Sequence, residues 1–218
     1  AGTGPAGRIK AADVLAAQPA PRPALQPGLP AVDGDRVVPV QGMRAVIARR
    51  MAESARNTAS FSVSTEVDAS AMVRLREETS GVLGARGITL SFTAIIVKAC
   101  ALALKEYPAL NSSFSEDGIR IHSRVNVGVA VALDDGLVVP VLMDADSKSL
   151  PALAAEIEGF AQAARGGRLK PGDLEGGTFT VSNLGMTGIT SFVPIINLPE
   201  ACILGVGAVI NRPLVSAG

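Results

Sequence analysis

Ser182 stands where the chain could present a hydroxyl group for chemistry. It follows the β-prone run 178–181 and precedes Asn183 and a loop with glycines at 185 and 188. Val, Phe and Thr suit a half-buried strand, and glycines permit sharp turns and close backbone approach. A hydroxyl held at a strand end can donate one directed hydrogen bond to a developing oxyanion. The alternative is a turn residue that bonds local backbone, and spacing alone favours that alternative.

Few other residues offer acid–base, nucleophilic or metal chemistry. His122 is the only histidine, and the alternating strand around it brings no carboxylate or cysteine that would complete a triad or a metal site. Cys100 and Cys202 lie in apolar segments, which is typical of buried thiols in a reducing compartment. We therefore predict no metal site and no catalytic role for His122.

Composition limits the classes of partner. The chain has 218 residues, 48% of them hydrophobic, which is enough for one sizeable core with appendages. Its formal net charge is zero and no basic stripe appears, so we expect neither nucleic acid nor a membrane as a partner. The longest apolar run, 92–104, is interrupted by Lys98 and is too short to span a bilayer.

Hydrophobic periodicity alternates between strand and helix along the chain. Met43, Val46, Ile47 and Met51 recur at helical spacing, and Ser91 and Ser149 are expected to cap two further helices. The predicted helices cover about 43–51, 69–83, 92–106 and 150–165. The predicted strands cover 36–40, 60–68, 119–122, 125–133, 137–143, 178–181 and 201–206. Such a mixture predicts an α/β fold.

Five sequence blocks carry a resemblance to a known family. They are MRAVIARRMAES at 43–54, YPALN at 107–111, VNVGVAV at 125–131, DGLVVPV at 135–141 and GGTFTVSNLG with PIINLPEACILGVG at 176–207. In this order they resemble the acyltransferase core of the 2-oxo acid dehydrogenase complexes, the dihydrolipoamide acyltransferase or E2 component. Ser182 falls on the family's Ser/Thr position, whose hydroxyl stabilises the tetrahedral oxyanion. Ala59 and Ser60 stand where the family often has Pro-His, so no polar role is carried over to that place.

The resemblance implies both an architecture and a reaction. The fold would be a two-layer α/β structure, a mixed β-sheet with helices on one face, like chloramphenicol acetyltransferase. The substrates would be coenzyme A and a dihydrolipoyl arm supplied by a lipoyl domain outside this chain. Trimers with active sites between subunits would build a large hollow core. It would bind the 2-oxo acid decarboxylase and dihydrolipoamide dehydrogenase components, in bacterial cytoplasm or the mitochondrial matrix.

The family's general base is absent from these residues. That base is the histidine of an H-x-x-x-D-G motif, and neither it nor its aspartate occurs in this chain. We expect the chain to hold the oxyanion half of the site and to be inactive alone. Either a C-terminal segment was lost, which we favour, or the protein is a non-catalytic core component that binds a partner enzyme.

The termini give the domain prediction. Residues 1–17 resemble the closing part of a peripheral subunit-binding domain, and the proline-rich residues 18–35 are typical of a linker. The acyltransferase core would occupy 36–218 and be incomplete at its C-terminus.

The most specific of the sequence predictions concerns which acyl group is transferred. Ser182-Asn183-Leu184-Gly185 resembles pyruvate, acetoin or branched-chain enzymes more than the 2-oxoglutarate branch. An acetyl or other small acyl group is therefore expected rather than succinyl. An unrelated α/β protein that binds a small ligand is the third alternative, and it would show no acyl transfer.

Overall fold

The computed structural model of the chain describes Pro5, Gly34 and residues 36–134 and 136–213. The chain divides into two units, Ala1–Pro39 and Val40–Gly218, and the second is considered below. The segments predicted as a subunit-binding remnant (1–17) and a linker (18–35) lie outside the described residues except for Pro5 and Gly34. Those two predictions, and the boundary at residue 36, stay predictions.

Four α-helices form within residues 36–213, where the apolar periodicity predicts them. They are α1 (Gly42–Asn57), α2 (Ser70–Gly84), α3 (Phe92–Glu106) and α4 (Leu150–Arg165). The predicted serine caps are present: Ser91 Oγ accepts a hydrogen bond from the Ala94 N–H, and Ser149 Oγ accepts one from the Ala152 N–H. None of the described helices is long and apolar enough to cross a membrane.

The main sheet is mixed and has four strands in the described part of the chain. These are β3 (Val127–Val129), β6 (Val141–Leu142), β7 (Phe179–Asn183) and β8 (Ile203–Val206), in the order β6-β3-β7-β8. Strand β7 runs parallel to both neighbours, whereas β6 runs antiparallel to β3. Two hairpins stand apart from it: β1 (Ser112–Ser115) with β2 (Gly118–Ile121), and β4 (Val131–Leu133) with β5 (Gly136–Val138).

The two faces of the sheet differ in chemistry. Phe179 and Val181 of β7 belong to a buried cluster with Val97 of α3 and Leu153 of α4, so this face carries the helices. Because side chains alternate along a strand, Thr180 and Ser182 point to the other face. Helices on one face of a mixed sheet give two layers, which confirms the predicted α/β architecture.

Several predicted strands are wrong or misplaced. Residues 36–40 and 60–68 form no strand, and the apolar side chains of 60–68 are exposed because no neighbouring strand covers them. The single strand predicted at 125–133 is broken at Ala130 into β3 and β4, which pair with different partners. The strand predicted at 137–143 is likewise divided between β5 and β6.

Candidate active site

Ser182 lies within β7 and not at the corner after it, which corrects the predicted strand end at 181. Its register partner on β8 is Gly205, and on the other side Ala130 donates its N–H to the Val181 carbonyl at 3.0 Å. The side chain is half-buried. No described residue hydrogen-bonds its hydroxyl. Small residues on both sides therefore flank a half-buried hydroxyl that has no hydrogen-bond partner in the described part of the chain.

Asn183 secures the chain directly after Ser182. It points to the helical side of the sheet, where its Nδ2 donates to Thr93 Oγ1 at 3.0 Å at the start of α3. Its Oδ1 accepts from the Gly185 N–H at 2.8 Å, and the Leu184 N–H donates to the Val206 carbonyl at 3.0 Å. The strand end that carries Ser182 is thus held by a helix and by β8.

The segment 184–202, here called the crossover, connects β7 to its parallel neighbour β8 over the Ser182 face. Pro194 and Phe192 lie so close to Gly205 that a Cβ there would be 3.0 Å from Pro194 Cδ. At the end of β8, a Cβ on Gly207 would overlap the carbonyl oxygen of Thr190. These glycines let the crossover lie directly on β8, so it forms a wall beside the Ser182 hydroxyl.

Glu200, near the end of the crossover, is a buried carboxyl group under the same face of the sheet. Its side chain accepts hydrogen bonds from Thr180 Oγ1 at 2.6 Å and from Asn197 Nδ2 at 3.1 Å, and the residue is 3% exposed. Burial raises the pKa of the Glu200 carboxyl to about 7, against the lowering effect of the Thr180 and Asn197 bonds and of Arg50. Because the carboxyl is shielded from solvent and both of its oxygens accept hydrogen bonds within the chain, we do not assign Glu200 as a general base.

No other described group near Ser182 supplies a base or a nucleophile. His122 follows β2, and its N–H donates to the Asn111 carbonyl at 2.8 Å. It precedes β3, at the amino-terminal ends of the parallel strands, whereas Ser182 lies near their carboxyl ends. Burial raises the pKa of the Cys100 thiol to about 11, so its thiolate is scarce at neutral pH. The described residues contain no cluster of three or more metal-binding side chains.

Two open cavities lie away from Ser182. One of about 290 Å³ is lined by Arg50, Met51 and the segment 197–199. The other, of about 360 Å³, is lined by Lys105, Asn111 and His122. Ser182 lines neither of these two cavities.

Comparison with known proteins decides the family. The model of the family "2-oxoacid dehydrogenases acyltransferase (catalytic domain)" matches residues 32–218. This chain belongs to that family. The acyltransferase domain is 40% identical over 214 residues to the dihydrolipoyllysine-residue acetyltransferase component of the acetoin cleaving system of Bacillus subtilis. The match covers 98% of this chain and 54% of the relative, so the chain spans about half of that protein.

Solved structures of the same family share the fold. A crystal structure of Azotobacter vinelandii dihydrolipoamide acetyltransferase, from a study of one serine, one histidine and one asparagine in its catalytic mechanism, is 34% identical. It superposes with a TM-score of 0.84, covering 88% of this chain and 82% of that one. The cubic core of the pyruvate dehydrogenase multienzyme complex matches with the same identity, coverage and TM-score. The acyltransferase domain therefore has the chloramphenicol acetyltransferase-like fold of E2 catalytic cores.

Sequence reasoning predicted a role for Ser182, which stays a prediction, and missed Asn183 and Glu200. The only local signal for Glu200 is one acidic residue within the otherwise uncharged run 193–206. A carboxyl group in an apolar stretch between two glycine-rich turns indicates a buried, hydrogen-bonded side chain.

Proposed function

We propose that this acyltransferase domain moves an acetyl or another small acyl group between a dihydrolipoyl arm and coenzyme A within a 2-oxo acid dehydrogenase complex. The observation that carries the proposal is the Ser182 hydroxyl. It is held on β7 between Ala130 and Gly205, and no described residue accepts its hydrogen bond. The catalytic serine investigated in the Azotobacter relative supports the same assignment.

The reaction needs an oxyanion donor because a thiolate adds to a thioester carbonyl. When the dihydrolipoyl sulfur attacks acetyl-coenzyme A, the carbonyl π electrons move to oxygen and a tetrahedral oxyanion forms. The Ser182 hydroxyl donates a hydrogen bond to that oxygen. Because Ser182 is fixed on a strand, this donor needs little reorganisation during the reaction. Collapse then breaks the carbon–sulfur bond to coenzyme A, which leaves as thiolate and takes up a proton.

The attacking thiol must also lose its proton. A free thiol has a pKa near 8.5, so a base that works near neutral pH accelerates the transfer. His122 lies at the other end of the strands from Ser182, so we do not assign it as this base. Within this chain we assign only the oxyanion donor, Ser182. The base is then supplied by a group other than the residues of this chain. A non-catalytic assembly component is the second candidate function, because His122 is the only histidine of the chain.

The test is acyl transfer by the full-length gene product that carries this chain. Purified protein is given dihydrolipoamide with acetyl-coenzyme A or succinyl-coenzyme A, and S-acyl dihydrolipoamide is quantified. We expect transfer of acetyl in clear preference to succinyl. A preference for succinyl contradicts the acyl assignment. No transfer of either group by a correctly assembled protein contradicts catalysis and supports the assembly role.

The partners belong to the same proposal. We infer a homotrimer that assembles into a large core and binds the decarboxylase and dihydrolipoamide dehydrogenase components. The multienzyme core among the structural relatives supports this inference. So do the exposed apolar side chains of segment 60–68 and of the β1–β2 hairpin, including Phe61 at 88% and Phe114 at 75%. Exposed apolar area of this kind marks interaction surfaces.

A further inference from the structure

Thr180 and Ser182 are successive side chains on one face of β7, and Thr180 is attached to the crossover. Thr180 is 1% exposed, and its hydroxyl donates to Glu200 Oε2 at 2.6 Å. This hydrogen bond connects the middle of β7 to the C-terminal end of the crossover. Ser182 therefore lies between two anchors, Asn183 on the helical side and Thr180 on the crossover side.

The crossover end of this connection is itself fixed. Asn197 Nδ2 donates to Glu200 Oε1 at 3.1 Å, and the Glu200 N–H donates to the Asn197 carbonyl at 3.1 Å. Ser54 of α1 donates its hydroxyl to the Ile196 carbonyl at 2.7 Å. A Cβ at Gly177 would be 2.9 Å from Glu200 Oε1, so the carboxyl also packs against the chain that enters β7. The carboxyl group thus has little freedom to move.

We propose that Glu200 is a positioning residue for acyl transfer, acting through Thr180 to hold β7 and the crossover in the alignment that aims the Ser182 hydroxyl at the oxyanion. This inference rests on the proposed function of Ser182. Glu200 touches neither substrate nor reacting atom. Its effect is geometric, because an oxyanion donor acts only at hydrogen-bond distance from the place where the charge develops.

The test removes the hydrogen bond between Thr180 and Glu200 without changing the volume of the side chain. Thr180→Val in the full-length protein keeps the side-chain shape and deletes the donor to Glu200. A misplaced catalytic group costs up to about 100-fold in rate. For Thr180→Val we therefore expect a kcat about 10-fold to 100-fold lower, with KM for both substrates nearly unchanged. Thr180→Ser restores the hydroxyl and should restore most of kcat. Glu200→Gln should lower kcat in the same sense.

Thr178→Val is the matched control. Thr178 directly precedes β7 and lies on the same face as Thr180. Its hydroxyl is also buried and hydrogen-bonds the backbone of Asn126 at 3.1 Å, but it has no hydrogen bond to Glu200. Thr178→Val should lower the melting temperature as Thr180→Val does, while kcat per folded molecule stays within about twofold of wild type. If both variants lower only stability, Glu200 has no positioning role.

A double-mutant cycle separates this inference from the proposed function. In a Ser182→Ala background, Thr180→Val should reduce kcat by less than about twofold further, because the group it aligns is gone. A full additional loss in that background overturns the positioning role and leaves Ser182 catalytic. If Ser182→Ala alone is as active as wild type, the oxyanion role of Ser182 fails and the positioning role fails with it, whereas the proposed acyl transfer fails only if the wild-type protein transfers no acyl group.

Discussion

At Ser182, replacement by alanine removes one hydrogen-bond donor and leaves the strand intact. The donor is used mainly in the transition state, so we expect kcat to fall by about 100-fold to 1,000-fold while KM for both substrates changes little. Steady-state kinetics of the full-length Ser182→Ala protein, with acetyl-coenzyme A and dihydrolipoamide varied in turn, measure the two effects separately. The folded protein should lose less than about 1 kcal/mol of stability, the net contribution of one hydrogen bond, since no described partner loses a bond.

Ser182→Thr is the control for that substitution. It retains a hydroxyl group at the same position and should retain much of the activity, whereas a role in folding alone predicts intact turnover for both variants. An alanine variant with kcat within about twofold of wild type excludes the oxyanion role.

Glu200 should make the free energy of unfolding depend on pH. Its pKa rises from 4.5 to about 7 on folding, so the folded protein binds the proton more tightly than the unfolded chain. This contribution is fully present below pH 4.5 and is lost as pH rises through about 7, an effect of about 3 kcal/mol at most. Urea unfolding of wild type and Glu200→Gln at pH 5 and pH 8 measures it.

The expected result is a steeper loss of stability for wild type than for Glu200→Gln between those two pH values. The glutamine variant carries no titrating proton at this position, and other groups change both proteins equally. Parallel curves would show that the Glu200 carboxyl does not change its protonation between pH 5 and pH 8.

The residues of the site differ in how far sequence could predict them. Ser182 is predictable because its block is local: a β-prone run, a hydroxyl and glycines within a few positions. Asn183 and Glu200 act through Thr93 and Thr180, which are 90 and 20 residues away in the chain. Neither partner has a spacing signal in the sequence, because the parallel sheet alone brings these groups together.

At the scale of elements, the contact between the crossover and β8 depends on glycine. Gly207→Ala would force a methyl group into the Thr190 carbonyl, and we expect a loss of about 1–3 kcal/mol of stability from the resulting strain. The matched control is Gly159→Ala in α4, where a Cβ meets nothing within 4 Å. That change should stabilise by up to about 1 kcal/mol through helix propensity. Denaturant midpoints of the two variants measure both effects, and equal shifts would contradict the close approach.

Helices were easier to predict than strands for a physical reason. A helix satisfies its backbone hydrogen bonds within its own residues, so periodicity and a serine cap suffice for α3 and α4. A strand needs a neighbour. Residues 60–68 alternate as a half-buried strand does, yet within the described chain they have no strand to pair with. At Ala130 the partner changes, and no composition signal marks that change.

At the scale of the whole molecule, the exposed apolar residues of segment 60–68 predict contact with other copies of the chain. Val63 is 87% exposed, and Val63→Glu should shift the assembled protein toward monomers by placing a charge in a desolvated interface. Ala155→Glu, on the exposed side of α4, is the control and should leave the assembly unchanged. Sedimentation velocity measures the mass of each variant. An unchanged mass for Val63→Glu would remove segment 60–68 from the interface.

The crossover has a consequence for how enzymes with this fold diversify. It joins two parallel strands and, through Phe192 and Pro194, also lies against Gly205 next to Ser182, so one stretch of chain satisfies the topology and borders the Ser182 hydroxyl. Closing a flexible loop costs only about 0.6 kcal/mol more for each doubling of its length. Insertions at the exposed turn that contains Met186 and Gly188 can therefore lengthen the crossover while the contacts of Thr190, Phe192 and Pro194 with β8 are kept. We expect sequence variation in this turn to leave the sheet that carries Ser182 unchanged.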